Sequence, residues 1–393
     1  MEWEQVSKDD DSTIIPNTWI HIHYYEALNT LFRLENSLRI FVYVVLKNCF
    51  FDKWCDINIT SDDAEPATIE TIAKKRRNQA QDFGYLGYTS SCPLMYLTSG
   101  ELIRIITDDS YWKYFKSYFP ASKQIIKHKL DEIGVIRNSL AHFRPLKSDD
   151  VEAIKTNAKH TLSAVDHFLR QIGRCFNTVP TNTQDSWYLA LSPLKNELCD
   201  LKLTQCEDGT WVNFIFKYYS KVLPTTLFRP DRKHYLHQIL NLITPSILQY
   251  YGNITKYATC LTELSVDSWD YKPEKPALYK IFRILFNRNV LNDHYQDIKN
   301  DIELLLSDIK AETELISSDN LARGKLISVA RVSAKLNEDE KTQWWVLDAD
   351  STLCPNPKGV FPEYWGNTPL HTSMLTSTDK YPWMPIEVSK FEL

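Results

Sequence analysis

Glycine is scarce in this chain, with 10 residues in 393, against roughly 7% in an average protein. No G-x-G-x-x-G and no G-x-x-x-x-G-K-[ST] occurs, so the glycine-rich turns that let a backbone close around a pyrophosphate are missing. That argues against a nucleotide-binding Rossmann domain. No C-x-x-C occurs among the eight cysteines at 49, 55, 92, 175, 199, 206, 260 and 354. A zinc ribbon or redox motif is therefore unsupported, and buried reduced thiols are expected. His21-Ile22-His23 has no companion carboxylates, and its two rings diverge on either a strand or a helix. No metal and no cofactor are expected. Long apolar runs are missing too. Ile40 to Leu46 stops at Lys47, far short of the ~20 residues that span a bilayer. The N-terminus, with Asp9-Asp10-Asp11, has neither the basic start nor the apolar run of a secretory leader. A soluble, cytoplasmic protein with no membrane partner is expected. Positive charge is not in excess: 45 Lys and Arg against 50 Asp and Glu leave −5. A nucleic-acid site would have to come from a local patch.

What is present is an apolar share of 43%, normal for a globular protein, and a length that suits two or three domains of roughly 100–200 residues. Over residues 24–50, Leu28, Leu31, Leu34, Leu38, Phe41, Val42, Val45 and Leu46 recur at spacings of three and four, which predicts a helix with one buried stripe. Residues 67–83 form a second, more polar helix carrying Lys74-Lys75-Arg76-Arg77. Thr98-Ser99-Gly100-Glu101 opens a third helix that runs to Thr107. Asp109–Phe119 is an aromatic fourth segment, 121–142 a fifth helix with an interruption near Gly134 left open, and Ser148-Asp149-Asp150 caps a sixth over 151–175. Residues 1–178 thus read as one helical domain.

Pro180 to Asp185 is a polar linker and the best boundary. Residues 186–320 read as a second, mainly helical domain, with Phe214–Val222, His234–Gln249, Ala277–Phe286 and Ile298–Ile316 as its apolar-periodic segments. In 324–393, Lys325–Lys335 and Gln343–Leu347 alternate as strands do, and the tail is rich in proline, so a small β-rich or irregular region is expected. The fold class is mainly α.

Chemistry concentrates in Ile133 to Phe143. Four Arg residues are followed by a His five or six positions on: Arg137/His142, Arg229/His234, Arg232/His237 and Arg288/His294. Composition alone yields about one such pair, so spacing decides nothing and context must. Arg137/His142 stands out because residues 113–147 hold eight Lys or Arg against two acids, a local +6 in an acidic chain, enough to attract a polyanion. Tyr111, Trp112, Tyr114, Phe115, Tyr118 and Phe119 lie beside it, as helix core or as rings on which bases stack.

Arg137-Asn138-Ser139-Leu140-Ala141-His142 resembles the active-site motif of the HEPN superfamily, and Glu35-Asn36-Ser37-Leu38-Arg39 resembles the Glu-x-x-Leu-Arg helix of its abortive-infection-like members. The resemblance covers about residues 20–175. It implies an up-down helical bundle that dimerises and a metal-independent endoribonuclease in a bacterial toxin or phage-defence system, with an antitoxin or sensor as a further partner. Members that have lost catalysis serve as scaffolds binding RNA or a protein, and that is the alternative. In the resemblance Arg137, His142 and Asn138 are catalytic, and Glu35 and Arg39 support the site. Arg288 to His294 is a candidate for a second, divergent motif.

The residue types suit the reaction. RNA carries its own nucleophile, the 2′-hydroxyl. A histidine can move protons near neutral pH, worth ~10²–10⁴ in rate, and a guanidinium can hold two phosphate oxygens. Asn138 can donate and accept hydrogen bonds around either. Lys127, Lys129, Arg144 and Lys147, with Lys74 and Arg77 farther off, are candidate RNA contacts or solvated cations. Five residues along a straight helix separate side chains by ~140°. Either the helix starts or bends between Arg137 and His142, or two copies face each other across a shared cleft.

Overall fold

The computed structural model describes residues 7–9, 12–14, 22–61, 64–82, 90–175, 178–224, 227–230, 233–263, 267–268, 276–319, 323–338, 343–349, 361–366 and 381–384. After a short hairpin, β1 (Ser7–Asp9) with β2 (Ser12–Ile14), comes the long helix α1 (Ile22–Phe50). A second hairpin, β3 (Asn58–Ser61) with β4 (Ala64–Thr68), leads into α2 (Ile69–Asp82). Then follow α3 (Ser99–Thr107), α4 (Trp112–Phe115), α5 (Lys123–Ala141) and α6 (Ser148–Gly173). Helix α3 starts at Thr98, whose side chain accepts from the Glu101 N–H while the Glu101 carboxylate accepts from the Thr98 N–H, a reciprocal cap. Helix α5 runs through Gly134 without a break.

From Ile40 to Leu46 every residue of α1 is buried, so this stretch is covered all round rather than along one stripe. Phe41 packs edge-on against Phe115, Tyr118, Phe119 and Phe168. The aromatic segment is therefore core, not an open stacking surface. On the other side Tyr43 meets Trp54 and Trp383, and its hydroxyl donates to the Thr259 carbonyl at 2.8 Å.

The middle of the chain is where the expected fold class fails. After α7 (Ser186–Leu191), residues Cys199–Gln205 (β5), Trp211–Ser220 (β6), Leu227–Arg229 (β7) and His234–Leu242 (β8) are strands. Two short helices, α8 (Pro245–Tyr250) and α9 (Gly252–Tyr257), precede the strands β9 (Cys260–Glu263), β10 (Asp267–Ser268) and β11 (Leu278–Asn287). The segments read as helical at Phe214–Val222, at the start of His234–Gln249 and at Ala277–Phe286 thus lie largely in strands, and the protein is mixed α/β rather than mainly α. The long helix α10 (Arg288–Ser318) follows, then β12 (Ile327–Glu338), β13 (Gln343–Ala349) and β14 (Tyr364–Gly366).

One sheet has the order β14-β9-β11-β6-β5, with β10 added on β11; β14 runs parallel to β9 and the other pairs are antiparallel. A second, antiparallel sheet has the order β13-β12-β8-β7. The first sheet is fully buried on its face toward α10, and on the other face only at one end, the rest being half-buried. Val212, Phe214, Phe216 and Tyr218 of β6 share a core with Ile298, Ile302 and Leu305 of α10. Trp211 of β6 and Leu285 of β11 belong to the core of the N-terminal helices, where Trp211 meets Phe168 at 5.6 Å. Ile215, Tyr219, Tyr279 and Ile281 put apolar groups on the half-buried face and Lys280 puts a charge on the buried one, so the two-residue alternation is blurred in the sequence, and an apolar run of that kind does not distinguish strand from helix.

The helical part and this sheet thus share one core across residues 178–185. Two buried charge pairs lie in and beside it. Lys47 of α1 donates to the Glu363 carboxylate at 2.5 Å and to the Thr255 carbonyl at 2.9 Å, and Lys280 lies 2.9 Å from Glu263. Cys92, Cys175, Cys199, Cys206 and Cys260 are buried, while Cys49 is exposed; Cys354 and His21 fall outside the described residues. Among the described residues no helix is long and apolar enough to cross a membrane.

Candidate active site

Glu35 is the hub of the site. One turn along α1, the Arg39 guanidinium pairs with its carboxylate, as the i,i+4 spacing on one helix face dictates. Arg137 reaches the same carboxylate from α5, with Nε 3.5 Å from Oε2. Ser99 donates to that oxygen at 3.3 Å from the first turn of α3. The remaining donors of Arg39 go to the carbonyls of Leu94 and Leu97, each at 3.2 Å, and to the Asn36 side chain at 3.1 Å. Arg39 and Glu35 are largely buried, at 11% and 16% exposure, while Arg137 is at 36%. Arg137 is therefore the cation of this cluster that a ligand can reach. Below it lies an apolar cleft between α1, α3, α5 and α6, lined by Leu31, Leu34, Leu38, Ile103, Leu130 and Leu162, of about 30 Å³. That is room for about two or three waters, so a nucleotide would lie across its mouth and not inside it.

His142 stands elsewhere. It is the residue that ends α5, and its ring is exposed with no hydrogen-bond partner among the described residues. Because α5 is continuous through Ala141, the straight-helix geometry applies and His142 points well away from Arg137. Of the two arrangements open at the sequence level, a bend between them is gone. Asn138 is exposed and lies 3.5 Å from Arg137 Nη1. The structure thus gathers Glu35, Arg39 and Arg137, adds Ser99, and leaves His142 at the helix end. Ser99 was legible only as a helix-opening residue, since its contact depends on how α3 meets α1.

The candidate RNA contacts divide. Lys127, Arg144 and Lys147 are exposed and Lys129 is half-buried on α5 and the turn after it. Lys74 is exposed on α2, but Arg77 lies 5.4 Å over the Tyr96 ring. Beside it, Arg76 forks onto both oxygens of Glu101 at 2.7 and 2.8 Å. Burial works to raise the Glu101 carboxyl, yet the Arg76 hydrogen bonds and the Thr98 cap outweigh it and hold the group below its ordinary value.

The Arg288/His294 pair does not repeat the motif's setting. The segment before it is strand β11, not an apolar helix. Arg288 is 3.0 Å from Asp185, and His294 sits at a kink in α10, stacked on Tyr257 at 4.3 Å. Arg232 of a further pair lies outside the described residues. Among the described residues no group of three or more His, Cys, Asp or Glu is placed to hold a metal ion. No family model, no curated protein and no solved structure matches this chain.

Proposed function

We propose that the chain is a metal-independent endoribonuclease of the HEPN type, a cytoplasmic effector of a bacterial toxin or phage-defence system that works as a homodimer. The observation that carries this reading is a reachable Arg137 on α5 and, at the end of the same helix, an exposed His142 that has no hydrogen-bond partner among the described residues, in the basic part of the chain. On one straight helix the two side chains diverge; two copies related by a twofold axis can place the arginine of one against the histidine of the other. In that cleft the RNA 2′-oxygen attacks the adjacent phosphorus and its proton passes to a base, for which His142 is the candidate. Arg137 neutralises the charge that builds on the phosphorane oxygens. The 5′-oxygen leaves and takes up a proton, giving a 2′,3′-cyclic phosphate and a 5′-hydroxyl. Glu35 and Arg39 orient Arg137, and Asn138 can bond to the phosphate. An antitoxin or sensor is the further partner proposed.

The test is incubation with tRNA and total RNA in EDTA, with His142→Ala and Arg137→Ala beside the wild type. Cleavage that falls by ~10² or more in either variant is expected. Intact RNA with the wild type would sink the enzyme reading, and cleavage that survives both substitutions would move the site. One observation favours a second reading, a non-catalytic scaffold that binds RNA or a protein: Arg137 already faces a carboxylate at 3.5 Å. Binding of RNA without cleavage would select it.

A further inference from the structure

Phe143, directly after His142, is placed against two local rules. Its backbone has φ +56°, the left-handed region that favours glycine. The Phe143 N–H donates to the Leu140 carbonyl and the Arg144 N–H to the Ser139 carbonyl, each at 3.0 Å. These two bonds form a Schellman closure of α5, with phenylalanine where glycine is usual. Its ring is also 85% exposed, the most exposed of the large apolar side chains among the described residues. A glycine here would relieve the backbone and remove the apolar surface, so the ring costs stability twice and returns little packing.

Among the described residues the ring has one aromatic neighbour. Tyr24 of α1 lies nearly parallel to it, at 9°, with centroids 6.2 Å apart. Tyr24 is itself anchored, since its hydroxyl donates to the Leu140 carbonyl at 2.8 Å. Its chain neighbours His142 and Arg144 are exposed, as are Asn138 and Lys147 a few residues either way; Tyr25 and Leu28, on α1 beside Tyr24, are exposed apolar residues. An exposed aromatic platform with cations next to it in the chain suits a single-stranded nucleic acid, with bases on the ring and phosphates on the cations. Strain held at a residue next to a candidate proton carrier points the same way.

We propose that Phe143, braced by Tyr24, is a stacking subsite for one unpaired base of single-stranded RNA, the base next to the phosphate that His142 addresses. The inference rests on the RNA reading given above. Stacking on the free face of Phe143 holds the strand in register, and it excludes duplex RNA, whose bases have no free face.

The test uses the full-length protein and a short single-stranded 2′-O-methyl RNA that cannot be cleaved, carrying 2-aminopurine as the stacking reporter. Phe143→Gly is expected to fold, with an equal or higher melting temperature, and to lose about tenfold or more in affinity together with the fluorescence quenching. Phe143→Tyr should keep both. Unchanged binding and quenching in Phe143→Gly would overturn the subsite, as would a Phe143→Tyr protein as weak as Phe143→Gly. A loss that coincides with dissociation of a dimer in sedimentation would assign the ring to a protein contact instead and also overturn it. The two readings fail separately. Cleavage that needs His142 with Phe143-independent binding sinks the subsite alone, and Phe143-dependent binding without cleavage sinks the nuclease alone. Wild-type protein that neither binds nor cuts RNA sinks both.

Discussion

Arg137 Nε lies 3.5 Å from Glu35 Oε2, and this contact ties the two motif-bearing helices together. It also makes Glu35 structurally costly to remove. In Glu35→Ala the Arg39 guanidinium, 11% exposed, keeps its carbonyl and amide partners but loses its counter-charge. A loss of about 2–4 kcal/mol is expected. Glu35→Gln keeps an acceptor oxygen and should cost clearly less. Urea unfolding at neutral pH reads both, and a Glu35→Ala protein as stable as the wild type would contradict the pairing.

The Arg76–Glu101 fork should make stability depend on pH. Glu101 is held below its ordinary value in the folded chain, so its contribution is fully present above the unfolded carboxylate range, near pH 4.3. It is lost as pH falls through the lowered folded value. A double-mutant cycle with Arg76→Met and Glu101→Gln should therefore give a coupling of about 1 kcal/mol at pH 7 that fades in acid. A coupling that grows as pH falls would refute the assignment.

Lys47 and Glu363 should behave as a pair. Lys47→Ala leaves a carboxylate with 5% side-chain exposure without its cation, at a cost of about 3–5 kcal/mol. Replacing both, as Lys47→Met with Glu363→Leu, should recover most of that loss. Equilibrium unfolding of the three variants checks it, and additive losses in the double variant would count against the argument.

If RNA is the ligand, the exposed cations beside Phe143 should act through phosphates. Arg144→Glu or Lys147→Glu should weaken RNA binding across sequences and lower the slope of log K against log salt by about one. Titrations at several salt concentrations read the slope. A loss confined to one RNA sequence would mean base contacts instead.

The N-terminal helices could be read from sequence because α1, α3 and α6 each leave a polar face and carry recognisable ends, such as the Thr98–Glu101 cap. The strands β6 and β11 could not be read from periodicity, because apolar residues stand on both of their faces and Lys280 interrupts the buried one. The signal that was available is the weight of aromatic and β-branched residues in Trp211–Ser220. Within the site, Glu35, Arg39 and Arg137 are together as the two motifs imply. The roles of Ser99 and Phe143 depend on how α3 approaches α1 and on one left-handed backbone angle, and neither leaves a mark in composition or spacing.

The bond from Lys47 to Glu363 joins residues 316 positions apart. On a ribosome adding about 5–20 residues per second, that gap lasts roughly 15–60 s. During that time the buried amine of α1 has no carboxylate to meet, although α1 to α6 have long since emerged. The sheet-facing end of α1 thus waits for a partner made 316 residues later.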